Sequence, residues 1–301
     1  MKTRRGLVLL CLGPIFFNLG QAFGHGAALQ TQFGPHQWRA TVKVIGKDGN
    51  PIAGADVSAQ YDVQRPAGSD QPTFGDVKGL TDTNGIFTAS HTDSSWNLGV
   101  VAKKTGYYPA HIGYEFYFDD KRRHPSFTLM LKKIGKPIAM YAESVNLGVP
   151  VFNKPVGFDL EAGDWVAPNG KGATADFLFT VTNSTIIVSF PNAGDGIQGF
   201  TRDWNQGVSG LLSSDEAPAE EYQPEYEQTH MPNPDRIYYF RVRTVLDSQG
   251  NILSTHYGKI YGDFMQFRYY LNPTPNDRNV EFDLKHNLLT GLKSFEEVQA
   301  P

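Results

Sequence analysis

The residues able to do chemistry are few and scattered. Four carboxylates can be taken as two pairs, Asp159 with Glu161 and Asp164 with Asp176, whose separations in space the sequence does not give. A pair of carboxyl groups flanking a glycosidic bond is what a glycosidase requires, while solvation at the surface is the default for each. His111 and Glu115 lie four apart on an expected strand. A zinc peptidase needs closely spaced His and Glu plus a further His converging on one metal, and no His in the chain is followed three residues later by Glu. Gly207-Val208-Ser209-Gly210 lacks the spacing of a nucleophile elbow and reads as a turn. Asp82-Thr83-Asn84-Gly85 lacks the later acidic ligands of a calcium loop and is also a turn. His25 could chelate copper through its amino group and ring if it were exposed by cleavage after Gly24 and joined by a second His. No catalytic residue, metal ligand or cofactor is assigned on these grounds.

A binding set is better supported. Trp165 stands beside Asp164, Trp204 beside Asp203 and Asn205, and Tyr222 and Tyr226 share one acidic stretch. Aromatic rings stack on the apolar faces of sugars while flanking polar groups hydrogen-bond hydroxyls, and loops on a β-scaffold present such sets well. The competing reading puts each Trp in the core. The stretch from Asp215 to Asp235, part of a Pro/Tyr loop over 213–236, holds Glu216, Glu220, Glu221, Glu225 and Glu227 between prolines. It reads as a mobile, solvated loop, or as a sugar or calcium site.

Composition sets the frame. Hydrophobic residues make up 40% and charged residues 19% of the 301, with 20 Phe, 14 Tyr, 31 Gly and 19 Pro. That balance favours strands and turns over helices. A net charge of −4 gives no reason to expect nucleic acid or an anionic membrane surface as partner. Lys2, Arg4 and Arg5 precede an apolar run, Gly6 through Phe17, that is too short to span a bilayer. Residues 1–24 therefore read as a signal peptide, with 25–37 as a lead-in. The single cysteine, Cys11, would leave with the signal and is a poor lipid-attachment site after Leu10, so disulfides and thiolate chemistry are excluded. Without a hydrophobic C-terminal tail, no membrane association is expected after cleavage. The protein reads as exported, to the periplasm or beyond the cell.

From Trp38 the chain alternates, with Trp38, Ala40, Val42 and Val44 on one face. After Lys47-Asp48-Gly49-Asn50-Pro51 the alternation resumes with Ala55, Val57, Ala59 and Tyr61, so the two segments read as neighbouring strands joined by a tight turn. Residues 62–79 look like a surface excursion. Strands are expected at Ile86–Ala89, Leu98–Ala102, Tyr114–Phe118 and Phe127–Leu131. Asp48-Gly49-Asn50-Pro51-Ile52-Ala53-Gly54-Ala55-Asp56-Val57, then Thr81-Asp82-Thr83-Asn84-Gly85-Ile86-Phe87, then Gly106-Tyr107, make residues 38–134 resemble the carboxypeptidase regulatory-like family. That resemblance implies a seven-stranded, transthyretin-like sandwich of the carbohydrate-binding-like group. It implies an accessory domain and not a peptidase, and it covers about a third of the chain.

Residues 135–155 read as a linker, and 156–289 as a second, antiparallel β-sandwich. Its inward sets are Phe177, Phe179 and Val181; Tyr238, Phe240 and Val242 opposite Arg241 and Arg243; Met265, Phe267, Tyr269 and Leu271; and Val280, Phe282 and Leu284. Such a meander commonly buries one face and solvates the other. Residues 290–301 read as a tail. This second half resembles the C-terminal regions of uncharacterised exported bacterial proteins. The whole is expected to be an all-β, non-catalytic binding or structural module whose partner is a glycan or an extracytoplasmic protein. The alternative is a polysaccharide-acting hydrolase, or another enzyme, with its site in the second domain.

Overall fold

The computed structural model describes residues 36–63, 73–95, 97–116, 123–201, 207–229 and 235–301. The expected signal peptide with Cys11, His25, and the Asp203-Trp204-Asn205 set lie outside the described residues. The protein is all-β, and among the described residues there is no α-helix. Its strands are β1 (His36–Gly46), β2 (Asp56–Val63), β3 (Thr73–Leu80), β4 (Ile86–Asp93), β5 (Asn97–Lys103), β6 (Ala110–Glu115) and β7 (Ser126–Leu131). Then come β8 (Ile138–Asn146), β9 (Val156–Asp159), β10 (Asp164–Trp165), β11 (Phe177–Val181), β12 (Thr185–Ser189), β13 (Gly196–Thr201) and β14 (Val208–Ser209). The last are β15 (Glu225–Thr229), β16 (Arg236–Leu246), β17 (Ile252–Asp263), β18 (Gln266–Leu271) and β19 (Phe282–Asn287). The chain divides into two compact units, one ending at Lys136 and including the later residues 207–212, the other formed by 137–201 and 213–301.

In the first unit, β4-β1-β7 faces β14-β6-β5-β2-β3. The alternation anticipated from Trp38 is present: Trp38, Ala40, Val42 and Val44 have no exposed surface and pack with Ala55, Val57, Ala59, Leu98, Val100, Leu129 and Leu131. The expected pairing of the first two strands is not. β1 pairs antiparallel with β4 and parallel with β7, while β2 pairs with β3 and β5 in the other sheet. The turn does reverse the chain briefly, through Gly46 N–H to Asn50 O and an isolated bridge from Ile45 to Pro51. Gly54 N–H then donates to Thr81 O, and Ala55 N–H to the Thr81 hydroxyl, which draws the chain across to the opposite sheet. Crossing lets the apolar faces of the two segments bury each other instead of lying side by side. The excursion expected over 62–79 contains β3, and the strand expected at Tyr114–Phe118 is β6, which starts earlier, at Ala110. Val208 and Ser209, in the stretch assigned from sequence to the second domain, add β14 to the first unit's sheet opposite His111 and Ala110.

In the second unit, β10-β9-β11-β12-β15 packs on β13-β16-β17-β18-β8-β19 around Phe158, Phe177, Phe179, Tyr238, Phe240, Phe264, Phe267 and Tyr269. β8 lies where a linker was expected, and β19 joins it in parallel, so the unit is not wholly antiparallel. Two inward assignments fail. Met265 is 41% exposed, because it sits in a turn closed by the Asp263 carboxylate, and Leu284 is 50% exposed on an edge strand. The six-stranded sheet is also buried on its second face, where Tyr239, Tyr257, Lys259, Tyr261 and Tyr270 lie. Ser213, Ser214 and the expected tail cover part of that face: Tyr261 and Tyr270 hydroxyls donate to Pro301 O and Ala300 O, and Ser214 N–H donates to the Tyr239 hydroxyl.

Gly85 locks the first unit's topology. It has φ +72°, and a Cβ there would stand 2.5 Å from Val44 O, while the Asp82 carboxylate accepts from Asn84 and Ile86 N–H at 2.9 and 2.8 Å. Gly49 has φ +78° with open space around it. Gly85→Ala is therefore expected to lower unfolding free energy by about 2–3 kcal/mol, and Gly49→Ala by only about 1 kcal/mol. Denaturant titration checks this, and equal losses would contradict it.

Candidate functional site

Among the described residues, a rich cluster of ionisable side chains lies at the β9–β11 connection, residues 159–176 of the second unit. Asp159 ends β9, and its two carboxylate oxygens take the backbone N–H groups of Glu161 (3.0 Å), Ala162 (3.1 Å), Ala173 (2.9 Å) and Thr174 (3.0 Å). One residue thus ties together both ends of its loop. Burial raises its carboxyl, but these four amides outweigh burial and hold it below the ordinary range. Asp176, fully buried, accepts from Leu160 N–H at 2.9 Å and from Arg243 Nε and Nη2 at 2.7 and 3.0 Å. The same guanidinium reaches Glu161 at 2.5 Å and Asp159 at 3.5 Å.

Arg243 attains this position through its backbone. It has φ +56° and sits at a register shift between β16 and β17, and such bulges re-aim side chains. Burial pushes the Asp176 carboxyl up, with Arg243 pulling it back. Burial alone would lower the guanidinium, yet the bonds to Asp176 and Glu161 prevail and raise it. Two near-parallel N–H···O bonds make this a forked ion pair. Asp159, Glu161 and Asp176, named from sequence as glycosidase candidates, are thereby brought onto one cation that occupies them. Asp164 is engaged separately, by Trp165 N–H at 2.8 Å and Lys171 N–H at 3.0 Å.

The proposed sugar-stacking residues have neighbours of their own. Trp165 is half-buried, edge-on to Phe158 (5.4 Å) and Phe179 (5.9 Å). Tyr226, on β15, packs edge-on to Tyr238 at 5.1 Å and tilted to Phe264 at 6.0 Å. The Tyr222 hydroxyl donates to Pro218 O at 2.8 Å, and its ring lies under the Arg241 guanidinium at 4.9 Å. Among the described members of the set, only Asp164 and Trp165 are adjacent; Tyr222 and Tyr226 face different partners. The acidic stretch read as a mobile loop is built into the unit through β15 and the buried Ala217, whose N–H donates to Arg278 O. His111 and Glu115 both lie on β6, about 13 Å apart along an extended strand, too far to share a metal. Among the described residues, no group of three or more His, Cys, Asp or Glu can hold a metal ion.

Lys259 and Glu143 are among the buried ionisable groups that residue pattern did not single out. Lys259 has no exposed surface, and its Nζ lies 5.0 and 4.8 Å from the Tyr261 and Tyr270 ring centres and 3.4 Å from Ser213 Oγ. Glu143, on β8, accepts from the Tyr269 hydroxyl at 3.2 Å, and a Cβ on Gly163 would stand 2.3 Å from its carboxylate. Burial pushes its carboxyl up to about 7, against a weaker pull from Tyr269, with Glu296 and Asp164 adding repulsion and Lys171 attraction. The only sequence signal for either is a charge inside an apolar strand.

Comparison with known proteins adds little. No family model matches the chain, and no curated protein matches it. A DUF3823 family protein from Parabacteroides merdae shares 8% identity over 82% of this chain and 98% of its own, with a TM-score of 0.22. The shaft pilin SpaA from Lactobacillus rhamnosus GG shares 11% over 70% and 89%, with a TM-score of 0.24. A 3-chlorocatechol 1,2-dioxygenase from Rhodococcus opacus shares 14% over 33% of this chain and 60% of its own, less than two thirds of that enzyme chain, with a TM-score of 0.25. Likeness at this level carries no inference about function.

Arg243→Ala strands buried carboxylates and is expected to cost about 3 kcal/mol. Arg243→Lys should recover only part, since an ammonium cannot fork. Chemical denaturation checks both, and a loss below about 0.5 kcal/mol for the Ala variant would contradict the pairing. Glu143 sets a pH window. Its folded value, about 7, exceeds the ordinary 4.5, so its contribution is complete below pH 4.5 and is lost as pH rises through 7. Glu143→Gln is expected to flatten the decline in Tm across that window, whereas an unchanged slope would contradict a buried neutral carboxyl.

Proposed function

We propose that this chain is an exported, non-catalytic β-protein acting as a structural or binding module, its first unit a carboxypeptidase regulatory-like sandwich. The observation that carries this reading is the occupancy of the carboxylates. Asp159, Asp176 and Glu161 are engaged by Arg243 and backbone amides, and Asp164 by two amides. A glycosidase needs one carboxyl free to donate a proton and another free to attack or activate water. Groups that hold a loop closed are poorly placed for either role.

Export rests on the sequence of residues 1–24. Among the described residues, no helix is long and apolar enough to cross a membrane. The half-exposed Trp165, with Asp164 next to it in sequence, supports carbohydrate as the ligand class, since aromatic rings stack on a sugar's apolar face and carboxylates accept from its hydroxyls.

Affinity electrophoresis through polysaccharide-containing gels, run beside a reducing-end assay on the same polysaccharides, tests the proposal. Retardation that Trp165→Ala weakens, without release of reducing ends, is the expected outcome. Release of reducing ends that Asp159→Asn or Asp176→Asn abolishes would establish an enzyme instead, and absence of retardation on every glycan tried would remove the ligand class.

A further inference from the structure

β3 ends the order β14-β6-β5-β2-β3, and among the described residues no strand pairs with its outer side. Thr81 N–H donates to Ala55 O at 3.0 Å, which sets the phase of the ladder. By alternation the backbone N–H and C=O groups of Phe74, Asp76, Lys78 and Leu80 turn towards the open side. The same four residues expose their side chains, with Phe74 44% and Leu80 62% exposed, whereas Gly75, Val77 and Gly79 are half-buried. An open edge of eight residues, about 26 Å long, is a template for a further strand.

The edge is self-complementary about Val77. Counting outward in both directions, Asp76 answers Lys78, Gly75 answers Gly79 and Phe74 answers Leu80. We propose that two copies of this chain pair antiparallel through β3 about a two-fold axis at Val77, forming a dimer with a sheet continuous across the interface. Directly opposed residues of an antiparallel pair share a face and interact. This register therefore sets Asp76 of each copy against Lys78 of the other, and Phe74 against Leu80.

Charge selects that register over its neighbours. Within one chain Lys78 already pairs with Asp76. Centring the axis on Asp76 or on Lys78 would oppose like charges, and a slip of one residue would set outward side chains against inward ones. Charges on an edge normally blunt indiscriminate pairing; here they also admit one partner. The contact uses the same patch on both copies, so it closes at two. A strand-sized interface is small, and the dimer is accordingly weak and concentration-dependent.

Sedimentation equilibrium of the full chain at rising concentration tests this. The unaltered chain is expected to associate to dimers. Asp76→Lys and Lys78→Asp, each of which opposes like charges twice, should weaken association about tenfold or more. The combined D76K/K78D chain should restore it, because exchanged charges again face opposites. Circular dichroism verifies folding of each variant. As an independent readout, amide hydrogen exchange at Phe74, Asp76, Lys78 and Leu80 should slow as concentration rises. A strictly monomeric chain, single reversals that associate like the unaltered protein, a folded D76K/K78D chain that stays monomeric, or exchange indifferent to concentration would each overturn the proposal.

Discussion

A buried charge must be paired, and the second unit is arranged to satisfy that requirement around Arg243. Removing a guanidinium and a carboxylate from water is costly, and only good geometry with further hydrogen bonds offsets it. Arg243 obtains the geometry by taking φ +56° at a bulge in β16, and Asp176 obtains its further bond from Leu160 N–H. The consequence reaches beyond the pair. Asp159 holds the amides of Glu161, Ala162, Ala173 and Thr174, so the 159–176 connection is fixed at its start, at its end and from the neighbouring sheet. That connection carries Asp164 and Trp165 on β10 and places Gly163 over Glu143. The half-exposed Trp165 thus owes its position to charges that are themselves engaged in holding the loop.

The aromatic content acquires a structural meaning in the same unit. Phe177 meets Phe179, Phe190 and Phe240 edge-on at 5.9, 5.6 and 5.0 Å, and Phe264 meets Tyr238 and Phe267 at 4.9 and 5.7 Å. Edge-to-face and tilted ring pairs of this kind add to the area term in a core. Tyr239, Tyr261 and Tyr270 serve the sheet's other face, where their hydroxyls reach backbone groups from Ser213, Ser214, Ala300 and Pro301. A ring with one polar tip suits a layer where covering segments bring carbonyls and amides against a sheet.

Local pattern carried most of the fold. Alternation located the buried sets from Trp38 to Val44 and from Phe177 to Val181, and Asp82-Thr83-Asn84-Gly85 is the turn its residues imply. Pairing was less legible. A turn at Asp48-Gly49-Asn50 looks the same whether the chain then joins its neighbour or crosses over, and the deciding bonds come from Thr81, far along the sequence. Met265 and Leu284 kept the alternation but not the burial, since a turn and an edge strand decide exposure. At the candidate site, carboxylate spacing singled out Asp159, Glu161 and Asp176 but not what they bind. Their common partner, Arg243, lies 67 residues beyond Asp176, and the backbone twist that aims it has no signature in residue type.

The central claim, that these carboxylates hold the second unit's loop, is tested most directly by a double-mutant cycle on Arg243 and Asp176, read as unfolding free energy. A structural ion pair predicts a coupling of about 2–3 kcal/mol, with the doubly apolar variant losing less than the sum of the single losses. Additive single losses, with coupling within about 0.5 kcal/mol of zero, would contradict it and return Asp176 to the list of groups free to act on a substrate.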